Sequence, residues 1–202
     1  MIIAGAGGHA LELLDILISQ GMTENLYFFD GINSISIFQD NYPVLNTMDQ
    51  VKEKFQEDPR FILGVGNPTV RAKFFEDFTN AGGALFAVKG KGIAHSNFAI
   101  NNDTDIFNLC FIGAKTVIGK GTLINTGAQI HHEVKIGEFS EINPGAILLG
   151  KAEVGNFCSI GANATILPKV KIGNHVTVGA GSVVTHDVPD GVTVMGIPGR
   201  II

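Results

Sequence analysis

The stretch IGAKTVIGKGTLINTGAQIHHEVKI, residues 112–136, decides the fold. An aliphatic residue returns in it every six positions, at Ile112, Ile118, Ile124, Ile130 and Ile136. The step continues without insertion through Ile142, Leu148, Val154, Ile160, Ile166, Ile172, Val178 and Val184. Four residues after each anchor stands a small or β-branched residue, from Thr116 and Thr122 through Ala128 and Val134 to Ser182 and Val188. Glycine often follows the anchor directly, as at Gly113, Gly119, Gly137 and Gly155. A hexad is too short for a helical repeat, but it makes one flat strand and a corner, with the large side chain turned into a prism. Coils stacked about 4.8 Å apart would bury the aliphatic ladder continuously, which is a parallel β-helix. Extending the step backward through Ile106 and Ile100 gives about five coils of three hexads each.

Upstream the pattern changes. Met1–Ala4 is short and apolar, Gly5–Gly8 forms a glycine-rich turn, and Ala10–Gln20 carries apolar residues at helical spacing. Leu26–Phe29 and Phe61–Val65 read as further strands, and Met48–Phe55 as a helix with Asn46 and Thr47 as cap candidates. Gly66-Asn67-Pro68 leads into a helix over 69–81. Strand and helix in alternation argue for a small parallel sheet of Rossmann type. The expected organisation is an α/β Rossmann-like half domain over 1–87, a linker over 88–99, and the β-helix with a C-terminal tail over 100–202.

Composition narrows the function. The 202 residues carry a net charge of -5, with 16% charged residues and no long basic run, so nucleic acid and anionic membrane are not expected partners. No apolar run reaches the roughly 18 residues that span a bilayer. Met1–Leu17 contains His9, Glu12 and Asp15 and lacks the basic leader of a signal peptide. Cys110 and Cys158 form no CxxC pair, so neither a disulfide framework nor a metal site is indicated, and a reducing cytoplasm is expected.

The hexads resemble those of the left-handed β-helix acyltransferases. GAGGHALELLDIL (5–17), GVGNPTVR (64–71) and INTGAQIHHEVKIGEF (124–139) together resemble the bacterial sugar N- and O-acetyltransferases that act on nucleotide-linked amino sugars or on sialic acid. The resemblance runs over nearly the whole chain. It implies a homotrimer of left-handed β-helices with acetyl-CoA lying between neighbouring helices, and an N-terminal sheet domain that holds the nucleotide sugar.

Moving an acetyl group from a thioester to an amine needs a base for the acceptor's proton and donors for the oxyanion. Histidine suits the first role near neutral pH. His131 directly follows its anchor Ile130, where neighbouring hexads mostly have Gly or Asn, and His132 comes one step later at a corner. From the residues alone they serve equally well as solvent-facing corners. The family motif, isoleucine, any residue, histidine, acid, puts the base at His132 and its partner at Glu133. The resemblance further implies coenzyme contacts at Gly150, Ala162 and Ala180, which on their own read as plain repeat residues. One departure stands out. Where the family commonly has a second histidine that places the thioester carbonyl, this chain has Glu141, which donates no hydrogen bond while ionised. Either a backbone amide or His131 supplies the donor, or the activity differs from the family norm.

Gly5-Ala6-Gly7-Gly8-His9-Ala10 follows a strand and opens a helix, where backbone amides can hold phosphate. With Asp30 ending the second strand this approximates a dinucleotide fingerprint and suggests a dehydrogenase. About 87 residues make only half of such a fold, and the resemblance points instead to Gly7, Gly8, His9, Asp30 and Gly66 holding a nucleotide sugar. The glycines alone also suit a tight turn. The leading expectation is an N-acetyltransferase. Hydroxyl acetylation of the sialic acid type is its close variant. Glu141 favours a third reading, a non-catalytic nucleotide-sugar-binding solenoid. A β-helix carbonic anhydrase lacks its third histidine, and a nucleotidyltransferase lacks the basic residue in the N-terminal loop.

Overall fold

The structure, a computed structural model, describes all residues 1–202. By compactness the chain divides into two units, 1–66 with 70–86, and 67–69 with 87–202.

The first unit is a six-stranded sheet in the order β3-β4-β2-β1-β5-β6. Its strands are β1 (Ile2–Ala4), β2 (Tyr27–Phe29), β3 (Ile37–Phe38), β4 (Tyr42–Leu45), β5 (Arg60–Leu63) and β6 (Ala84–Leu85). All neighbours are parallel except the β3–β4 hairpin. The helices are α1 (Gly8–Ser19), α2 (Met48–Phe55) and α3 (Pro68–Asn80). β1 is central and fully apolar, as a strand covered on both faces must be. Helix α2 begins where the sequence indicated: Thr47 is the N-cap and forms a reciprocal capping box with Gln50. Phe78 gathers the aromatic core, with ring centroids 5.3 Å from Phe29 and 5.4 Å from Phe61. Gly5 is obligatory. Its φ is +135°, and a Cβ there would stand 2.6 Å from the Gly64 carbonyl oxygen.

The second unit is a parallel β-helix with three faces. The first face stacks β7 (Ala94–His95) under the strands 111–112, 129–130, 147–148, 165–166 and 183–184. The second stacks 117–118, 135–136, 153–154 and 171–172. The third stacks 105–106, 123–124, 141–142, 159–160, 177–178 and 193–195, closed by the antiparallel strand 200–201. Residues 18 apart lie directly above one another, as Gln129 and Ile147 do. All thirteen anchors are at most 4% exposed, so the ladder fills the prism. Burial of each such side chain contributes about 1.5–3 kcal/mol before entropy is counted. The polar residues among the small positions are satisfied inside: Thr122 Oγ1 donates to the Gly137 carbonyl at 2.7 Å and Ser140 Oγ to that of Gly155 at 2.9 Å.

Two ends of the repeat depart from the six-residue step. Ile100, expected as an anchor, is 59% exposed and pairs with Val117 rather than Ile118. The first coil is one residue short, because Lys89 pairs with Ile106 and Ala94 with Phe111. That offset puts Lys89, His95 and Asn101 at the three anchor registers. Asn101 Nδ2 bonds the His95 ring, and Lys89 Nζ donates to the Thr104 carbonyl at 2.7 Å. A solenoid needs a polar terminal layer over its core, and these side chains supply it. Residues 88–99, read from the sequence as a linker, therefore contain β7 and part of this capping coil. At the other end Val188 pairs with Ile172, so it occupies an anchor register instead of the small position.

Candidate active site

His132 stands on the corner between the first and second faces, two residues past Ile130. Its Nδ1 lies 3.1 Å from Glu133 Oε2. Glu133 takes a left-handed conformation with φ +60°, as do Lys115, Lys151 and Lys169 in the same column. Other corners use that conformation too, at Phe139 and Phe157, so it belongs to the coil geometry and not to chemistry. The Glu133 carboxyl is held below the usual range, first by the His132 hydrogen bond and then by the charges of Lys151 and His132. It is therefore ionised at neutral pH, and an ionised partner at Nδ1 leaves Nε2 to act on a substrate proton.

Gly150 is directly above His132. A Cβ at Gly150 would fall 2.5 Å from His132 Nε2 and 2.6 Å from its Cε1. Only glycine leaves the ring its place. The corner is also chemically open. Between the second and third faces, side-chain amides close the corner N–H groups: Asn156 Oδ1 accepts from Glu138 N at 2.7 Å, and Asn174 Oδ1 from Asn156 N at 2.9 Å. The column of His132 continues as Gly150 and Pro168, which offer no such acceptor. The Gly150 N–H accordingly donates to no group of the chain.

The spacing of 18 shows which expected residues come together. His132, Glu133 and Gly150 share one corner. Glu141 lies on the third face, where its carboxylate accepts from Ser159 Oγ at 3.5 Å; that hydroxyl accepts in turn from Asn143 Nδ2 at 3.3 Å. Ala162 and Ala180 lie on the corner between the third and first faces, across the first face from His132. A single prism therefore separates them from His132, since 132 to 141 is half a coil and 132 to 162 is not a whole number of coils. His131 turns its ring against Phe111, with centroids 5.4 Å apart. Cys110 and Cys158 are buried free thiols, and burial pushes the Cys110 thiol up to about 11, which removes it as a nucleophile.

In the sheet unit, Gly7 is the N-cap of α1, and a Cβ on Gly7 or Gly8 would meet nothing within 4 Å. The space outside this helix start is open. His9 is mostly buried, with Nδ1 3.6 Å from Glu12 Oε2. Burial, then the positive charge of Arg71, lowers it from 6.5 to about 4, so it is neutral at pH 7. Arg71 is the residue that the sequence reading passed over, although it ends the quoted GVGNPTVR. It is fully buried, and its guanidinium donates to the Leu63 carbonyl at 3.0 Å and to that of Val65 at 2.8 Å, fixing the segment that carries Gly66. A lone arginine among the apolar positions of a predicted helix was its only signal. The Asp30 carboxylate accepts from Ile32 N at 2.8 Å, Asn33 N at 3.1 Å and Asn33 Nδ2 at 2.8 Å. It shapes its own loop as an Asx turn.

Comparison with known proteins agrees with this architecture. Residues 1–78 match the PglD N-terminal domain, and residues 115–150 and 151–186 each match the bacterial transferase hexapeptide of six repeats. The acetyltransferase domain of PglB from Neisseria gonorrhoeae is 27% identical over 100% of this chain and 98% of its own, with a TM-score of 0.91. It has also been solved with acetyl coenzyme A. GDP-perosamine N-acetyltransferase from Caulobacter crescentus, as a histidine-to-alanine mutant with CoA and GDP-perosamine, is 26% identical over 100% and 95%, with a TM-score of 0.92. WeeI from Acinetobacter baumannii, at 23% identity over 100% of this chain and 98% of its own, shares the fold with a TM-score of 0.71. With a PglD-type N-terminal domain over 1–78 and bacterial-transferase hexapeptide repeats over 115–186, the chain is an acyltransferase with the architecture of the left-handed β-helix sugar acetyltransferases it resembles.

Proposed function

We propose that the protein transfers the acetyl group of acetyl-CoA to the amine of a nucleotide-linked amino sugar, with His132 as general base. The observation that carries this reading is the corner itself: an imidazole with an ionised partner at Nδ1, and a glycine at Nε2 whose N–H has no acceptor in the chain. Acetyl-CoA supplies the activated acyl carbon. His132 Nε2 takes the proton of the amine as its lone pair forms the new C–N bond. The Gly150 N–H offers a donor for the charge that develops on the carbonyl oxygen. His132 then returns its proton to the departing thiolate, so no covalent enzyme intermediate is required. Glu133 keeps the ring oriented and offsets the charge of the imidazolium.

The solved relatives support the choice of substrates, since PglB's domain was obtained with acetyl coenzyme A and the Caulobacter enzyme with CoA and GDP-perosamine. In this reading Ala162 and Ala180, and Glu141 on the adjoining face, line the coenzyme in a homotrimer where one prism's corner meets the next. Gly7, Gly8, His9, Asp30 and Gly66 hold the nucleotide sugar. The helix N-terminus and a neutral His9 suit its diphosphate as hydrogen-bond donors, and Asp30 acts by shaping the loop that follows β2. No helix of the chain is long and apolar enough to cross a membrane. We place the enzyme in the cytoplasm, as a homotrimer serving polysaccharide biosynthesis. The test is thiol release from acetyl-CoA across UDP-, GDP- and dTDP-linked 4-amino sugars, with the product identified by mass. Amide formation on at least one of them is expected. Tight nucleotide-sugar binding with no thiol release on any would replace this reading with that of a binding module.

A further inference from the structure

The carboxylate that meets the base is shared with a second cation. Glu133 Oε2 lies 3.1 Å from His132 Nδ1 and 3.7 Å from Lys151 Nζ. The backbone of Lys151 joins the same group, since its N–H donates to the His132 carbonyl at 3.0 Å. Lys115, Glu133, Lys151 and Lys169 form one column, 18 residues apart, up the corner that carries His132; beyond them the coil shortens, so Asp187 lies over Lys171 and accepts from its N–H at 2.8 Å. Within the column Glu133 is the single acid between cations above and below, and only Lys151 reaches it within 4.0 Å. On the adjoining second face Lys135 and Glu153 pair with each other at 3.6 Å. These, with His186 further along the corner, are the charged and titratable groups around the imidazole, apart from its neighbour His131.

We propose that Lys151 is a positioning residue that divides the Glu133 carboxylate between itself and His132, and so sets the pH at which the base becomes available. This rests on the reading of His132 as the base. Two effects act with one sign. Lys151 withdraws part of the negative charge that would stabilise an imidazolium, and its own positive charge opposes protonation of the ring. Both make a positive ring costlier with Lys151 present than without it. Lys151 does not face the reacting side. Its ammonium meets the carboxylate at Nδ1, whereas Nε2 faces Gly150.

The test is the pH dependence of kcat/KM for the intact enzyme at about 20 mM and about 0.5 M salt, using Lys151→Met, Lys151→Arg and, as a control, Lys169→Met, one coil on in the same column. The acid limb of Lys151→Met is expected to move upward by about 0.3–0.5 pH unit at low salt, with the plateau retained within about twofold. Lys151→Arg should restore the limb, Lys169→Met should move it less, and high salt should shrink the shift. An unmoved limb in Lys151→Met, or a lost plateau with an unmoved limb, overturns the assignment. His132→Ala run alongside separates the two levels. If that variant is inactive while the Lys151→Met limb stays put, only the Lys151 proposal falls; if it turns over normally, both fall.

Discussion

At the scale of single residues the site depends on one imidazole having room and one having none. His132 is mostly exposed, and its place is kept by the missing Cβ of Gly150. Gly150→Ala should therefore leave the melting temperature near that of the parent while lowering kcat by at least about tenfold, because a methyl group there displaces the ring. Equal turnover in the two proteins would show that the ring and Gly150 are not coupled. His9 illustrates the opposite environment. Its ordinary value of 6.5 falls to about 4 on folding, through burial and then Arg71. The unfolded chain binds a proton below about 6.5 and the folded chain declines it until about 4, so stability is lost as pH falls through that window. About 2 kcal/mol should disappear between pH 7 and pH 5. Urea midpoints at the two pH values, for the parent and for His9→Gln, check this. The parent should lose more than the variant, and equal losses would assign the acid sensitivity elsewhere. His132 and Glu133 were marked in the sequence by the break that QIHHEV makes in the repeat and by the family motif, and the fold sets them 3.1 Å apart. The roles of Gly150 and Arg71 were not legible in the sequence, because steric room beside a ring and a buried guanidinium over two carbonyls exist only once the chain is folded.

At the scale of elements, the coil is a ladder whose rungs are interchangeable except at its ends and at one corner. The thirteen anchors were readable because a period of six with a large aliphatic at one phase has a single way to be buried. Ile142, fully buried in the prism, should lose about 2–5 kcal/mol as Ile142→Ala, read from denaturant midpoints. A loss below about 1 kcal/mol would mean that the stack collapses around the vacancy. The short first coil was not readable, since one missing residue shifts Ile100 outward and lets Lys89, His95 and Asn101 cap the prism without disturbing the hexads after it. In the sheet unit the β3–β4 hairpin also escaped notice. Its turn uses Gln39 and Asp40 at positive φ, without the Asn-Gly pair that usually marks such a turn.

At the scale of the whole molecule, the separation of the expected site residues over two corners and a face becomes a statement about assembly. His132 with Gly150, and Ala162 with Ala180, lie on different corners with face one between them, so the proposed site brings them to one substrate where two prisms adjoin. A homotrimer that sets one corner against its neighbour achieves this. Light scattering at working concentration should give three times the chain mass, and a fully active monomer would refute the shared site. The central claim is narrower and can be tested directly. Acetyl transfer to the amine of an accepted nucleotide-linked sugar should be measured for the parent and for His132→Ala, each shown to be folded by its melting curve. Loss of about 10²–10⁴-fold in kcat with an unchanged melt is the result expected of a general base. Turnover within a few fold of the parent would contradict it.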